Sequence, residues 1–183
     1  VVEFESDIED EIRITFRGKD NYVKIERGVS VGKLSIECGN NGQCRIGEGT
    51  VVESARVLVT EGCIMIGKHC LLSTEITLRN HDSHHIFDKN TGKRINYPKN
   101  MSIGNHVWIG HGAILLGGAT IGDNSIVGTR AVTSSTFPKE VIIAGNPARI
   151  IRRDVCWSKD NTDFFNRDNL SECMAREAYD YMV

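Results

Sequence analysis

The sequence predicts an all-β fold of short strands wound into stacked coils, on three observations. An aliphatic residue returns every six positions across 103–138, and glycine occupies the next position in most of these repeats. Aromatic residues make up only 7% of the chain, thin for a core of large rings. At 183 residues the chain fits one domain of ordinary size. Its 18 glycines against three prolines rule out linker composition, so glycine has a repeated backbone task.

The clearest stretch divides into IGNHVW, IGHGAI, LLGGAT, IGDNSI, VGTRAV and TSSTFP. The first places are Ile103, Ile109, Leu115, Ile121, Val127 and Thr133; Gly104, Gly110, Gly122 and Gly128 fill second places. Small or β-branched residues hold the fifth place: Val107, Ala113, Ala119, Ser125 and Ala131. A helix would space its apolar residues by three and four, and a strand by two. A beat of six therefore implies very short strands between tight bends, with the aliphatic side chain inward. The glycine then supplies either an unusual backbone conformation or a close approach that a Cβ would hinder. Coils stacked at about 4.8 Å, the ordinary strand spacing, place like residues above one another.

In chain order, residues 1–29 form a lead-in with irregular coils. ITFRGKDNYVKI (14–25) and LSIECGNNGQCRI (34–46) look like loose versions of the same unit. The beat is then expected at Ile46, Val52, Leu58 and Ile64, with Gly47 after the first. It slips by two at TEGCIM (60–65), which predicts a widened corner, and resumes at Ile66, Leu72 and Leu78. Residues 79–102 interrupt it with a polar loop carrying His81, His84 and His85, and a loop of that length inside a compact repeat is usually functional or disordered. The repeat ends near Pro138, and VII (141–143) and AGNPAR (144–149) follow. Residues 152–183 differ in kind, and SECMAREAYDYM (171–182) has the pattern of a short amphipathic helix.

A net charge of −2 with interspersed signs demands no nucleic acid or anionic membrane as partner. No apolar run approaches the roughly 20 residues of a membrane span, and VVEFESDIEDE lacks the basic-then-apolar order of a signal peptide. The six cysteines (38, 44, 63, 70, 156, 173) contain no CxxC pair. They are expected to be small, mostly buried hydrophobes in a reducing cytoplasm, without zinc.

Together DSHHIFD (82–88), KRIN (93–96), IGNHVWIG (103–110), IGDNSIVG (121–128) and AGNPAR (144–149) resemble the hexapeptide-repeat acyltransferases. Within that superfamily the pattern is most similar to sugar O-acetyltransferases, among them galactoside and maltose acetyltransferases and enzymes acting on capsule or lipopolysaccharide sugars. The resemblance implies a left-handed parallel β-helix over 30–151, a C-terminal extension from 152, and acetyl-CoA as co-substrate. It also implies a homotrimer with intersubunit active sites, a cytoplasmic location and a sugar hydroxyl acceptor, of a surface polysaccharide or its precursor.

Residue by residue, the resemblance places the catalytic base on His84, which lies 24 residues before Trp108 as the family interval requires; His81 lies 27 before it. Asp82 would orient the imidazole or serve as a turn residue. Trp108 would wall the acceptor and pantetheine sites, and the backbone N–H of His111 would face the oxyanion. Coenzyme A would run past Gly128, Thr129 and Ser134, with Arg149 and Arg152 meeting its phosphates. A family lysine is replaced by Ser135. Glu53 stands where galactoside-type enzymes carry an acceptor-side asparagine; it would bind a sugar hydroxyl, assist His84 or face water. Arg94 and Asn96 are acceptor-side candidates. Chemically, histidine suits the role because its pKa near 6.5 lets it take a hydroxyl proton at neutral pH and return one to the thiolate.

Three alternatives share the fold. IGHGAILLGG also resembles the metal coil of γ-class carbonic anhydrases, with His111 on a ligand position, but the second ligand position holds Leu116, which binds no zinc. An N-acyltransferase of an amino sugar would need the same donor machinery. A non-catalytic structural module would need neither the histidine loop nor the arginines.

Overall fold

The computed structural model describes residues 1–5 and 11–159, and within them every element is a β-strand or an irregular connection. One face is a seven-stranded parallel sheet of β1 (Val2–Phe4), β3 (Tyr22–Ile25), β5 (Gly42–Ile46), β7 (Gly62–Ile66), β10 (Met101–Ile103), β13 (Thr120–Ile121) and β16 (Thr136–Phe137). The other strands form one sheet that divides into two faces. The long strands β2 (Glu11–Phe16), β4 (Ser30–Cys38) and β6 (Val51–Val59) begin it. Beyond β6 the second face continues through β8 (Leu71–Leu72), β11 (Trp108–Ile109), β14 (Ile126–Val127) and β17 (Val141–Gly145). The third continues through β9 (Ile76–Arg79), β12 (Ile114–Leu116) and β15 (Val132–Thr133). A hairpin partner of β17, β18 (Ala148–Arg153), pairs antiparallel and ends the stack.

The six-residue beat is the inward column. Ile103, Ile109, Leu115, Ile121, Val127 and Thr133 are all buried, as are Val107, Ala113, Ala119, Ser125 and Ala131 at the fifth places. Ser102 stacks on Thr120, so one coil here is three hexapeptides. The earlier coils are longer than three hexapeptides, since Val23 stacks on Cys44 and Cys44 on Ile64. Their extra residues blur the beat upstream without breaking the ladders. The coil stack begins ahead of residue 30, because β1 and β3 already pair in register on the first face.

The upstream phase needs correction. Ile46, Val52 and Ile64 point inward as expected, but Leu58 does not; Ala55, Val57 and Val59 are buried instead. β6 continues past Val52 as one strand that turns onto the next face, so the phase resets at 53–54 and strand alternation then takes over. The corner at Thr60–Glu61 follows that reset. Among the described cysteines Cys38, Cys44 and Cys70 are buried, in keeping with the expectation, whereas Cys63 is half-buried and Cys156 exposed. Burial pushes the Cys38 and Cys70 thiols up to about 11. Cys173 and the helix expected at 171–182 lie outside the described residues.

Close approach, not backbone conformation, explains the second-place glycines. A Cβ on Gly110 would stand 2.8 Å from the Thr129 nitrogen, and one on Gly122 would stand 2.6 Å from the Pro138 carbonyl carbon. Left-handed backbone falls instead two places later, at His106 (φ 52°), Gly112 (φ 67°), Asn124 (φ 57°) and Arg130 (φ 56°). These corner residues stack and bond coil to coil: His106 N–H donates to the Lys68 carbonyl (2.8 Å) and Asn124 N–H to the Asn105 carbonyl (3.0 Å).

After β18 the chain turns back across the coils. Val155 N–H donates to the Glu140 carbonyl (3.2 Å), and the Lys159 ammonium reaches the Gly49 carbonyl (3.0 Å). Between them Trp157 is buried on the His106 imidazole, with ring centroids 4.2 Å apart and planes 5° from parallel.

The packing sets expectations for stability. Gly122→Ala is expected to lose about 1–3 kcal/mol by overpacking, and Thr136→Ala, on an exposed outer position of β16, less than about 0.5 kcal/mol; urea unfolding measures both. Burial, chiefly, and then the charges of Lys159 and His69 hold the His106 pKa below its ordinary 6.5, against the opposing hydrogen bond with Asn124. Below pH 6.5 the unfolded chain therefore takes up the proton first. Stability falls as pH drops from 6.5 toward the folded-state pKa and levels off below it. His106→Asn, which tolerates left-handed backbone, should flatten that part of the wild-type stability profile, read as melting temperature between pH 7.5 and 5.

Candidate active site

The loop is anchored at its root and braced along its length. Buried Asn80 at the end of β9 exchanges two hydrogen bonds with the Thr60 backbone (2.8 and 2.9 Å) and accepts Lys99 N–H at its carbonyl (3.1 Å). Arg79 bonds the His81 carbonyl (2.9 Å) and the Ser83 hydroxyl (3.0 Å). Further out, Asp88 closes a tight turn by accepting Asn90 and Thr91 N–H, and these bonds hold its carboxyl below the usual range.

This bracing fixes His84. Its N–H donates to the Asp82 carbonyl (2.7 Å), and its own carbonyl accepts the Asn96 side-chain amide (2.7 Å). The same amide bonds the Asp82 carboxylate (3.1 Å), while the Asn96 carbonyl oxygen accepts Ile86 N–H (2.8 Å). The His84 imidazole is left exposed, and among the described residues it has no hydrogen-bond partner. His81 differs: Nδ1 accepts the Ser83 N–H (3.1 Å), and burial, helped by Arg79, lowers its pKa. His85 packs edge-on against Phe87. Arg94 bonds Asn96 and lies over the Tyr97 ring.

A second group gathers at the corner between the second and third faces. Val52, Leu72, Ile109 and Val127 stack in register, so Glu53, Ser73, Gly110 and Gly128 follow one another along this edge. Trp108 faces outward from β11, 37% exposed, and its indole N–H donates to the Ser73 hydroxyl (3.3 Å). The His111 imidazole is held by the Thr74 hydroxyl at Nδ1 (2.7 Å) and by Glu75 at Nε2 (3.6 Å). Its backbone N–H, like that of Thr129 one coil on, has no acceptor among the described residues. An outward amide held by a rigid turn is the donor an oxyanion requires. Arg149 pairs across from Ala144, the next residue in this column after Gly128, and Arg152 lies further along β18.

One edge of the chain thus unites Glu53, Trp108, His111, Gly128, Thr129 and Arg149. The other candidates lie elsewhere: Asp82, His84, Arg94 and Asn96 belong to the loop leaving the far end of β9. Ser134 stacks beside that root, one position past the Leu115–Thr133 pair. The four residues of β9, a rise of about 13 Å, separate the two groups within one chain. Sequence reasoning passed over Ser73, Thr74 and Glu75, which hold Trp108 and His111, although stacking Leu72 under Ile109 would have found Ser73. For Trp157 the sequence offered no function, only a tail expected to pack against the coils or a neighbour, and it does pack on the coils. Among the described residues no three His, Cys, Asp or Glu side chains converge as a metal site requires, and no helix is long and apolar enough to cross a membrane.

Comparison with known proteins agrees with the coiled fold. Residues 100–134 match the family model for the bacterial transferase hexapeptide (six repeats). The chain is 32% identical over 149 residues to a polysialic acid O-acetyltransferase of Escherichia coli O1:K1, covering 80% of this chain and 48% of that protein. It thus spans about half the length of the curated relatives it matches. The crystal structure of the polySia-specific acetyltransferase NeuO superposes with a TM-score of 0.89 at 28% identity, covering 97% of this chain and 82% of that one. A hexapeptide-repeat acetyltransferase of Vibrio cholerae O1, complexed with acetyl coenzyme A, superposes at 0.55 with 26% identity, covering 69% and 70%. The coils thus stack as in the left-handed β-helix of these acetyltransferases, and residues 100–134 carry the repeat of the bacterial hexapeptide transferases.

Proposed function

We propose that this protein transfers the acetyl group of acetyl-CoA to a sugar hydroxyl, with His84 as general base. The observation that carries the proposal is the exposed His84 imidazole, presented by a loop that bonds its backbone on both sides. A relative that acetylates polysialic acid and a neighbour that holds acetyl coenzyme A support the acceptor class and the donor. A surface polysaccharide or its precursor is the acceptor we favour, and the cytoplasm, where acetyl-CoA is made, is the compartment.

The imidazole takes the hydroxyl proton as the sugar oxygen attacks the thioester carbonyl. The C–O bond forms, and the oxyanion accepts a hydrogen bond from His111 N–H. Collapse breaks the C–S bond, and the imidazolium returns its proton to the departing thiolate. Asp82 acts at one remove: Asn96 couples its carboxylate to the His84 carbonyl, so both brace the loop. Trp108 walls the acyl site. Gly128, Thr129 and Ser134 offer backbone to the pantetheine arm, and the forked donors of Arg149 and Arg152 suit its phosphates. Glu53 and Arg94 are left for the acceptor.

The loop of one subunit meets the Trp108 edge of another in a homotrimer. Two facts support this: β9 separates the groups within one chain, and the loop carries Ile86, Phe87, Ile95 and Tyr97 with large apolar side chains exposed.

Thiol release from acetyl-CoA, read across free sugars, galactosides and sialic acid polymers, tests the activity; silence with every acceptor would refute it. His84→Ala should cut turnover at least about a hundredfold while acetyl-CoA still binds, and His81→Ala should leave most of it. Mixing His84→Ala chains with weakened but active Trp108→Ala chains, then refolding them together, should raise activity above that of either alone if subunits share sites. No rise would place each site within one chain.

A further inference from the structure

We infer that the segment Val155–Lys159 is a strap that positions Trp108, with Trp157 as the positioning residue. The inference rests on Trp108 being a wall of the acetyl-transfer site. The strap follows the last strand and runs back along the stack. It is tied to the Glu140 carbonyl at one end and the Gly49 carbonyl at the other. Those two residues occupy the same corner of coils far apart in the stack, so the strap crosses the coil that carries Trp108.

Trp157 is seated there by two independent contacts. Its ring lies flat on His106, and its indole N–H donates to the His106 carbonyl (2.8 Å). Both are within two residues of Trp108. Seated in this way, Trp157 is only 7% exposed and places its ring 5.9 Å from that of Trp108, tilted by 40°, within the range in which aromatic rings attract. The Trp108 indole is therefore held from two directions, by the Ser73 hydroxyl and by the Trp157 ring. The side chain that remains exposed on the second face is thus fixed in orientation before any ligand arrives. Fixing a wall of the site in advance reduces what binding must order.

The chain has two tryptophans, so each single variant leaves one reporter. In Trp157→Leu, Trp108 emission should shift to the red and become more open to acrylamide than in Trp157→Phe, which keeps an aromatic face. Acetyl transfer should fall about tenfold in kcat/KM in Trp157→Leu, since small displacements of positioned groups carry large rate costs, and Trp157→Phe should recover most of it. The deciding measurement is the double variant: Trp108→Ala with Trp157→Leu should be no slower than Trp108→Ala alone. Additive losses, or quenching of Trp108 unchanged by Trp157→Leu in an active enzyme, would sink the strap alone. A wild type that releases no thiol with any acceptor would sink the transfer reading and the strap together.

Discussion

The structure depends on how closely one coil lies on the next. Parallel strands bond at about 4.8 Å, and at the corners, where the chain turns without a strand, backbone must meet backbone at the same spacing. Gly110 against Thr129 and Gly122 against Pro138 are the places where a single Cβ would hold the coils apart. The narrow interior that such short coils enclose is filled at the fifth places by small or β-branched residues, Val107, Ala113, Ala119, Ser125 and Ala131. The scarcity of aromatic residues follows from that width.

This regularity also explains where chemistry is possible. A stack of near-identical coils presents corners on which equivalent residues recur, so an amide N–H turned outward at His111 has a counterpart at Thr129 one coil on. A repeating row of donors suits an extended ligand, but the His111 imidazole on that edge is engaged by Thr74 and Glu75. The long interruption at residues 79–102 supplies an exposed imidazole at His84. The work of the loop is mostly internal: Asn80, Asn96 and Asp88 spend their polar groups on holding its shape, and His84 is the outward result.

How much was legible follows from where each coil is three hexapeptides long. Across 103–133 the inward residues could be assigned from the beat alone. Upstream, longer coils let the phase reset inside β6, so the beat points Leu58 inward although Val57 and Val59 are the buried residues. A strand that rounds a corner without a glycine leaves no punctuation in the sequence. Asn96 was legible as a loop residue and acceptor-side candidate, but not as the brace of the candidate base, because its partners Asp82, His84 and Ile86 come together only when the loop folds on itself.

The sequence by itself determined the repeat and the inward column across 103–133, because both are written in local spacing that a fixed rise per coil converts directly into geometry. His84 was singled out only through the family resemblance. Only the tertiary structure decided which glycine role applies, which edge each candidate occupies, and that Trp157 comes back onto His106 beside Trp108. Those facts depend on contacts between residues far apart in the chain, and register, not spacing, brings such residues together.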